Sequence, residues 1–161
     1  MTRSRSGIPL SGDLALTAAL HSLGKVLTDD LPAAAAEALA AGADTPSLRR
    51  LAGATTSNAF ELEELLGRAL GELGIHAVTR ERALTAVARH RAQQIVDGEI
   101  GPVEGAGMIW RLFDDYPAIV MPFLSLEDMH GYETRPRARR RIEAEIVEEA
   151  KSYLAKTADS S

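Results

Sequence analysis

The chain has 161 residues, no cysteine and a net charge of −5. That length sustains a hydrophobic core without covalent staples, and the lack of cysteine excludes disulfides, thiolate metal sites and a cysteine nucleophile. The acidic balance disfavours a general nucleic-acid binder, which carries a basic surface. With aromatic residues at only 4% and alanine and leucine dominant, the expectation is an all-α protein, a single compact bundle of about six or seven helices joined by short turns.

Residues 1–12 are rich in Ser, Arg, Gly and Pro and read as a flexible tail. Residues 14–27 are broken by His21, Gly24 and Lys25, which makes a poor signal-peptide core, and no window has the apolar length of a membrane span. A cytoplasmic location is therefore expected. Asp13 caps a helix predicted to run to about Leu27, with Leu16, Leu20, Leu23 and Leu27 on one face. Asp29-Asp30-Leu31-Pro32 turns into a second helix, whose alanine run from Ala33 to Ala41 permits close packing and which stops at Gly42. Thr45-Pro46 opens a third helix ending at Gly53. Ser57 or Asn58 caps a fourth, which runs to Leu73 with Leu62, Leu65, Leu66, Ala69, Leu70 and Leu73 buried.

Thr79 caps a fifth helix with Leu84, Val87, Ala88, Ala92, Ile95 and Val96 on its apolar stripe. Gly98 ends it, Gly101 turns the chain and Pro102 opens a sixth helix carrying Val103, Ala106, Trp110 and Phe113. Pro117 breaks that helix. The apolar run 118–124 contains Pro122 and reads as a kinked helix, with residues 125–128 capping a short helical turn. A last helix spans 136–156, burying Ile142, Ile146, Val147, Ala150, Tyr153 and Leu154. Residues 157–161 are expected to fray, so the folded domain is placed at 13–156.

Four constellations bear on function. Gly98, Gly101, Gly105 and Gly107 surround a helix start, where free N–H groups attract anions. No Gly-Lys-Ser/Thr follows and no strand precedes, so these glycines read as a helix stop, a turn and two small residues that admit another helix. Residues 46–73 have the outline of a helix-turn-helix, but Glu61, Glu63, Glu64 and Glu72 oppose only Arg68 on the would-be reading helix. Arg135, Arg137, Arg139, Arg140 and Arg141 crowd the start of the last helix against its macrodipole. Glu143 and Glu145 neutralise Arg139 and Arg141 at i+4, and an anionic partner is one use for the remainder. Asp114, Asp115, Glu127, Asp128, His130 and Glu133 fall in one region but match no metal-ligand spacing and no acid–base motif.

Between Met108 and Tyr132 lie three of the four methionines and the only tryptophan, with two phenylalanines and two tyrosines. Such residues fill irregular cores and also make adaptable interfaces. The sequence Asp44-Thr45-Pro46-Ser47-Leu48-Arg49-Arg50-Leu51-Ala52-Gly53, with Glu61-Leu62-Glu63-Glu64-Leu65-Leu66 and Ile95-Val96-Asp97-Gly98-Glu99-Ile100, resembles a group of small uncharacterised helical proteins from high-GC bacteria. The resemblance spans roughly the middle two-thirds of the chain and implies a fold, not an activity.

The expectation is a non-enzymatic protein–protein interaction module, such as a regulator, adaptor or immunity-type inhibitor, with no cofactor or metal. Its partner surface is expected to comprise Trp110, Phe113, Tyr116, Met121 and Phe123, with Arg137 and Arg140. The alternatives are a helix-turn-helix-like DNA-binding regulator and a small metal- or carboxylate-dependent enzyme using Asp114, Asp115, Glu127 and His130. Nothing in the sequence fixes the oligomeric state.

Overall fold

The computed structural model describes residues 12–76 and 79–160. They form eight α-helices, with no strand among the described residues: α1 Leu14–Ser22, α2 Leu31–Ala40, α3 Pro46–Ala52, α4 Ala59–Glu72, α5 Arg80–Val96, α6 Pro102–Trp110, α7 Met121–Tyr132 and α8 Pro136–Lys156. Two 3₁₀ turns, Thr28–Asp30 and Ala158–Ser160, precede α2 and follow α8. The all-α class read from composition holds, with one or two helices more than expected. Contacts group the chain into two compact units, Met1–Ala83 and Leu84–Ser161. The tail expected at 1–12 lies, apart from Gly12, outside the described residues.

In the first unit local chemistry sets the helix ends. Asp13 accepts from Leu16 N–H and starts α1. The helix stops at Ser22, short of the expected Leu27, because Gly24 turns left-handed at φ 69°. The N–H groups of Gly24, Lys25 and Val26 then fold back onto the carbonyls of His21 and Leu20. Leu27 is consequently outside the helix and exposed. Ala34, Ala35 and Ala38 are buried at 0–1% exposure, and these small side chains let α2 pack on α3, which in turn packs on α4. Thr45 accepts from Leu48 N–H at 3.2 Å, and Asn58, not Ser57, caps α4.

The second unit is built around Phe123, Tyr153, Ile109 and Ile146, with Ala88, Ala92 and Ile95 from α5 and Ala106 from α6. Phe123 and Tyr153 meet edge to face at 5.9 Å, an arrangement favoured by the ring quadrupoles. Burial pushes the Tyr153 phenol up to about 12, against the opposing charge of Arg89. Arg89 donates from Nη1 to the Leu154 carbonyl at 2.8 Å and to Thr157 Oγ1 at 2.6 Å. A cation thereby sits on a carbonyl of the last turn of α8, where the macrodipole favours it. Thr157, placed by sequence at the start of a frayed end, is buried and hydrogen-bonded, and residues 158–160 close a 3₁₀ turn.

Two segments differ from the sequence reading. The sixth helix ends at Trp110, not near Pro117. Pro122 does not kink a helix: it occupies the first turn of α7, where its missing N–H would have had no partner anyway. Residues 125–128 are accordingly mid-helix.

Gly98 takes φ 72° and ends α5, and Pro102 opens α6. Inside α6, a Cβ on Gly105 would collide with Ile95 and Ile100. Gly105→Ala should therefore lower the stability of the protein by about 1–3 kcal/mol. Gly67→Ala, which has open space around it on α4, should raise stability by roughly 0.5–1 kcal/mol. Urea denaturation of the two variants checks this, and shifts of the same sign would contradict the packing described.

Candidate functional site

Within the second unit, α6 and α7 enclose an open cleft of about 580 Å³ lined by Val103, Trp110, Arg111, Leu124, Glu127, Asp128, His130, Gly131 and Tyr132. Its architecture starts from Gly107. A Cβ there would meet the Arg111 guanidinium and, at 2.7 Å, Glu127 Oε1. With glycine there, the carboxylate of α7 reaches across α6 without displacing the end of either side chain. Glu127 then accepts from the Trp110 indole N–H through Oε2 and from Arg111 Nη2 through Oε1, the latter at 2.8 Å.

The arrangement around Trp110 is layered. The Arg111 guanidinium carbon lies 4.6 Å from the ring centroid, a cation–π contact. The Tyr116 ring packs at 5.8 Å and 51°. Tyr116 holds φ 45°, a left-handed conformation that costs a bulky residue about 1 kcal/mol or more, and the aromatic contact offsets part of that. Of the partners, the charge-assisted Trp110–Glu127 bond contributes most, about 1.5–3 kcal/mol. The exposed Arg111–Glu127 pair adds at most about 1 kcal/mol.

At the other end of α7, His130 is buried and its Nε2 lies 2.9 Å from Glu143 Oε1 on α8. The Arg139 guanidinium approaches both ring nitrogens at 3.4 Å. Since those nitrogens point apart in the ring plane, the two equal approaches place it over the ring face. The corner between α7 and α8 is clamped by Glu133, which accepts from Arg135 N–H at 2.8 Å and from its guanidinium at 2.9 and 3.0 Å. These bonds, side chain first and backbone second, hold the Glu133 carboxyl down at about 2.

The structure sorts the residues expected at a partner surface. Phe123 is fully buried in the core and is withdrawn from that surface, because its position on α7 points it at Tyr153. Phe113 is half-buried against the same core. Trp110 lines the cleft, and Tyr116 and Met121 are exposed. Arg137 and Arg140 are exposed on α8. Neither has a side-chain partner among the described residues, whereas Arg135, Arg139 and Arg141 meet Glu133, His130 and Glu145. Met108, Met129 and Tyr132, exposed by 37, 54 and 82%, belong to the Met and aromatic cluster noted in the sequence but are not among the residues expected at the partner surface. The signal was present in the sequence: Met121, Ser125, Asp128, Met129 and Tyr132 recur at helical spacing on the side of α7 away from Phe123 and His130.

The other constellations separate. Glu127 and His130 line one cleft, yet each is engaged as above, and no group of three His, Asp or Glu side chains among the described residues is placed to hold a metal ion. In the α3–α4 pair, Asn58 is used as a cap, Arg68 bonds Glu64, and Glu72 accepts from Ser47 N–H at 3.1 Å and Ser47 Oγ at 2.7 Å. The Ser47 and Thr45 hydroxyls keep the Glu72 carboxyl below its ordinary value. Glu72 thus closes α3 onto α4, and its carboxylate is structural. His21 finds a partner that spacing did not reveal, Glu63 on α4 at 3.5 Å. No helix among the described residues is long and apolar enough to cross a membrane.

The Glu133 clamp has a sign in pH. Its carboxyl falls from an ordinary 4.5 to about 2 on folding, so the stability it contributes is complete above about 4.5 and is lost as pH falls towards 2. Glu133→Gln should melt below wild type at pH 6, with the gap closing towards pH 2. Thermal melts across that window test this, and a gap independent of pH would contradict it.

No family model, curated protein or solved structure matches the chain.

Proposed function

We propose that the chain is a cytoplasmic, non-enzymatic interaction module of the regulator, adaptor or inhibitor kind, and that it grips a partner protein with the α6–α7 cleft and its rim. The observation carrying this reading is the distribution of exposed apolar side chains. Five of the seven large ones among the described residues, Met108, Tyr116, Met121, Met129 and Tyr132, fall on the segment that builds the cleft. Single exposed apolar residues are ordinary, whereas a concentration of Met and Tyr beside a concave site is the composition of adaptable contact surfaces. Tyrosine offers a large contact area with few rotors to freeze.

Catalysis finds less support. Of the acid–base candidates in the cleft, Glu127 and His130 are held by Trp110, Arg111, Glu143 and Arg139, which leaves Asp128 as an exposed carboxylate without a second catalytic group beside it among the described residues. Arg137 and Arg140 extend the proposed surface onto α8, where an acidic patch on the partner would complete them.

Met129 and Tyr132 are exposed enough to replace without touching the core. The double variant Met129→Ser, Tyr132→Ser should keep its melting temperature within a few degrees. It should also lose roughly ten-fold or more of the partner that co-purifies with wild type. Recovery of the same proteins at the same level by the folded double variant would sink this reading.

A further inference from the structure

The charges lining the α6–α7 cleft do not balance, and the imbalance identifies what fits it. Arg111 is the one Lys or Arg of the lining, and Glu127 already pairs it at 2.8 Å. His130 is taken by Glu143. Asp128, an exposed lining residue, has no hydrogen-bond or ion-pair partner among the described residues. The net charge left over in the cleft is therefore negative. Two aromatic residues share the lining with it, Trp110 and Tyr132, the latter 82% exposed.

The chain itself displays what such a wall binds. The Arg111 guanidinium lies over the Trp110 ring at 4.6 Å and bonds a carboxylate oxygen of α7 at 2.8 Å. A ring face and a carboxylate together satisfy a guanidinium: the quadrupole attracts the charge and the oxygens accept its N–H groups. Asp128 and Tyr132 lie four apart on α7, so they share one helix face and repeat the same pairing of carboxylate and ring with no cation present. The apolar lining, Val103 and Leu124, supplies a surface for methylene groups. At about 580 Å³ the cleft is large enough for one long side chain and an apolar neighbour.

We propose that the cleft receives an arginine or lysine side chain, next to an apolar residue, from the partner polypeptide, with Asp128 and the Tyr132 ring as its receptors. This rests on the interaction reading above and names the chemistry of the partner's anchor. An acidic anchor would place its carboxylate beside Asp128, and the two nearby guanidinium groups, that of Arg111 in the lining and that of Arg139 beside it, are already engaged by Glu127 and His130. A chain of net charge −5 also draws a basic segment towards it.

Trp110 is the only tryptophan and lines the cleft, so its fluorescence reports occupancy directly. The full chain is titrated with acetyl-Ala-Leu-Arg-Leu-Ala-amide, with the same peptide carrying Glu for Arg, and with free arginine amide. The arginine peptide should give a saturable change, with an affinity roughly ten-fold or more above that of either other probe. Asp128→Asn, a replacement of an exposed side chain, should weaken the arginine peptide by about five-fold or more. Equal or tighter binding of the glutamate peptide, no saturable change with the arginine peptide, or an unchanged affinity in Asp128→Asn would overturn the proposal. Free arginine amide binding as tightly as the peptide would overturn the polypeptide anchor. Co-purification with a Met121→Ser, Met129→Ser variant, whose two exposed residues lie outside the cleft lining, reads the interaction surface separately, so a cation that fails to bind and a surface that fails to matter give different results.

Discussion

The carboxylate of Glu127 accepts two donors at once, the indole N–H of Trp110 and the guanidinium of Arg111, and the shape of the α6–α7 cleft depends on that double contact. Each donor comes from the C-terminal end of α6, and the acceptor comes from the middle of α7. The bond to Trp110 fixes the ring edge, and the ion pair holds Arg111 over the ring face. With the ring pinned from two sides, Tyr116 packs against it in a backbone conformation that a tyrosine adopts only under local constraint.

The seat for this arrangement is a gap in the sequence of side chains. Gly105 and Gly107 are both buried in α6, and they serve different neighbours. Gly105 admits Ile95 and Ile100, bringing the end of α5 and the following turn onto α6, while Gly107 admits Arg111 and Glu127. Helix propensity alone argues against two glycines in a nine-residue helix. Packing decides the matter at Gly105, where a methyl would overlap the buried Ile95, whereas at Gly107 it would meet the ends of the Arg111 and Glu127 side chains. The glycines first invite an anion-binding interpretation, since they sit at a helix start. Their role in the structure is to make space, and the polar group they admit is a carboxylate of the protein itself.

Much of the fold was legible because caps and stops are local. Asp13, Thr45, Asn58 and Thr79 each stand where a helix begins, and Gly42, Gly74 and Gly98, all with positive φ, stand where one ends. The errors came where a local signal had two meanings. Pro122 was compatible with a kink or a start, and only the position of Phe123 in the core decides for a start. Phe123 itself shows why the site was half legible: Met108 to Tyr132 stood out as rich in Met and aromatics, but composition does not say which face is inward. The pairs that build the cleft, Trp110 with Glu127 and His130 with Glu143, join residues 17 and 13 positions apart on different helices, beyond the reach of periodicity.

Glu127 pins Trp110 and so forms the cleft, and the single tryptophan makes that contact accessible to one measurement. Acrylamide quenching of Trp110 fluorescence, compared between wild type and a Glu127→Ala variant of unchanged helicity, reads the freedom and exposure of the ring. The bimolecular quenching constant should rise several-fold in the variant, as the ring loses its hydrogen bond and Arg111 its partner. An unchanged constant would contradict it, since Trp110 would then be held by something other than Glu127.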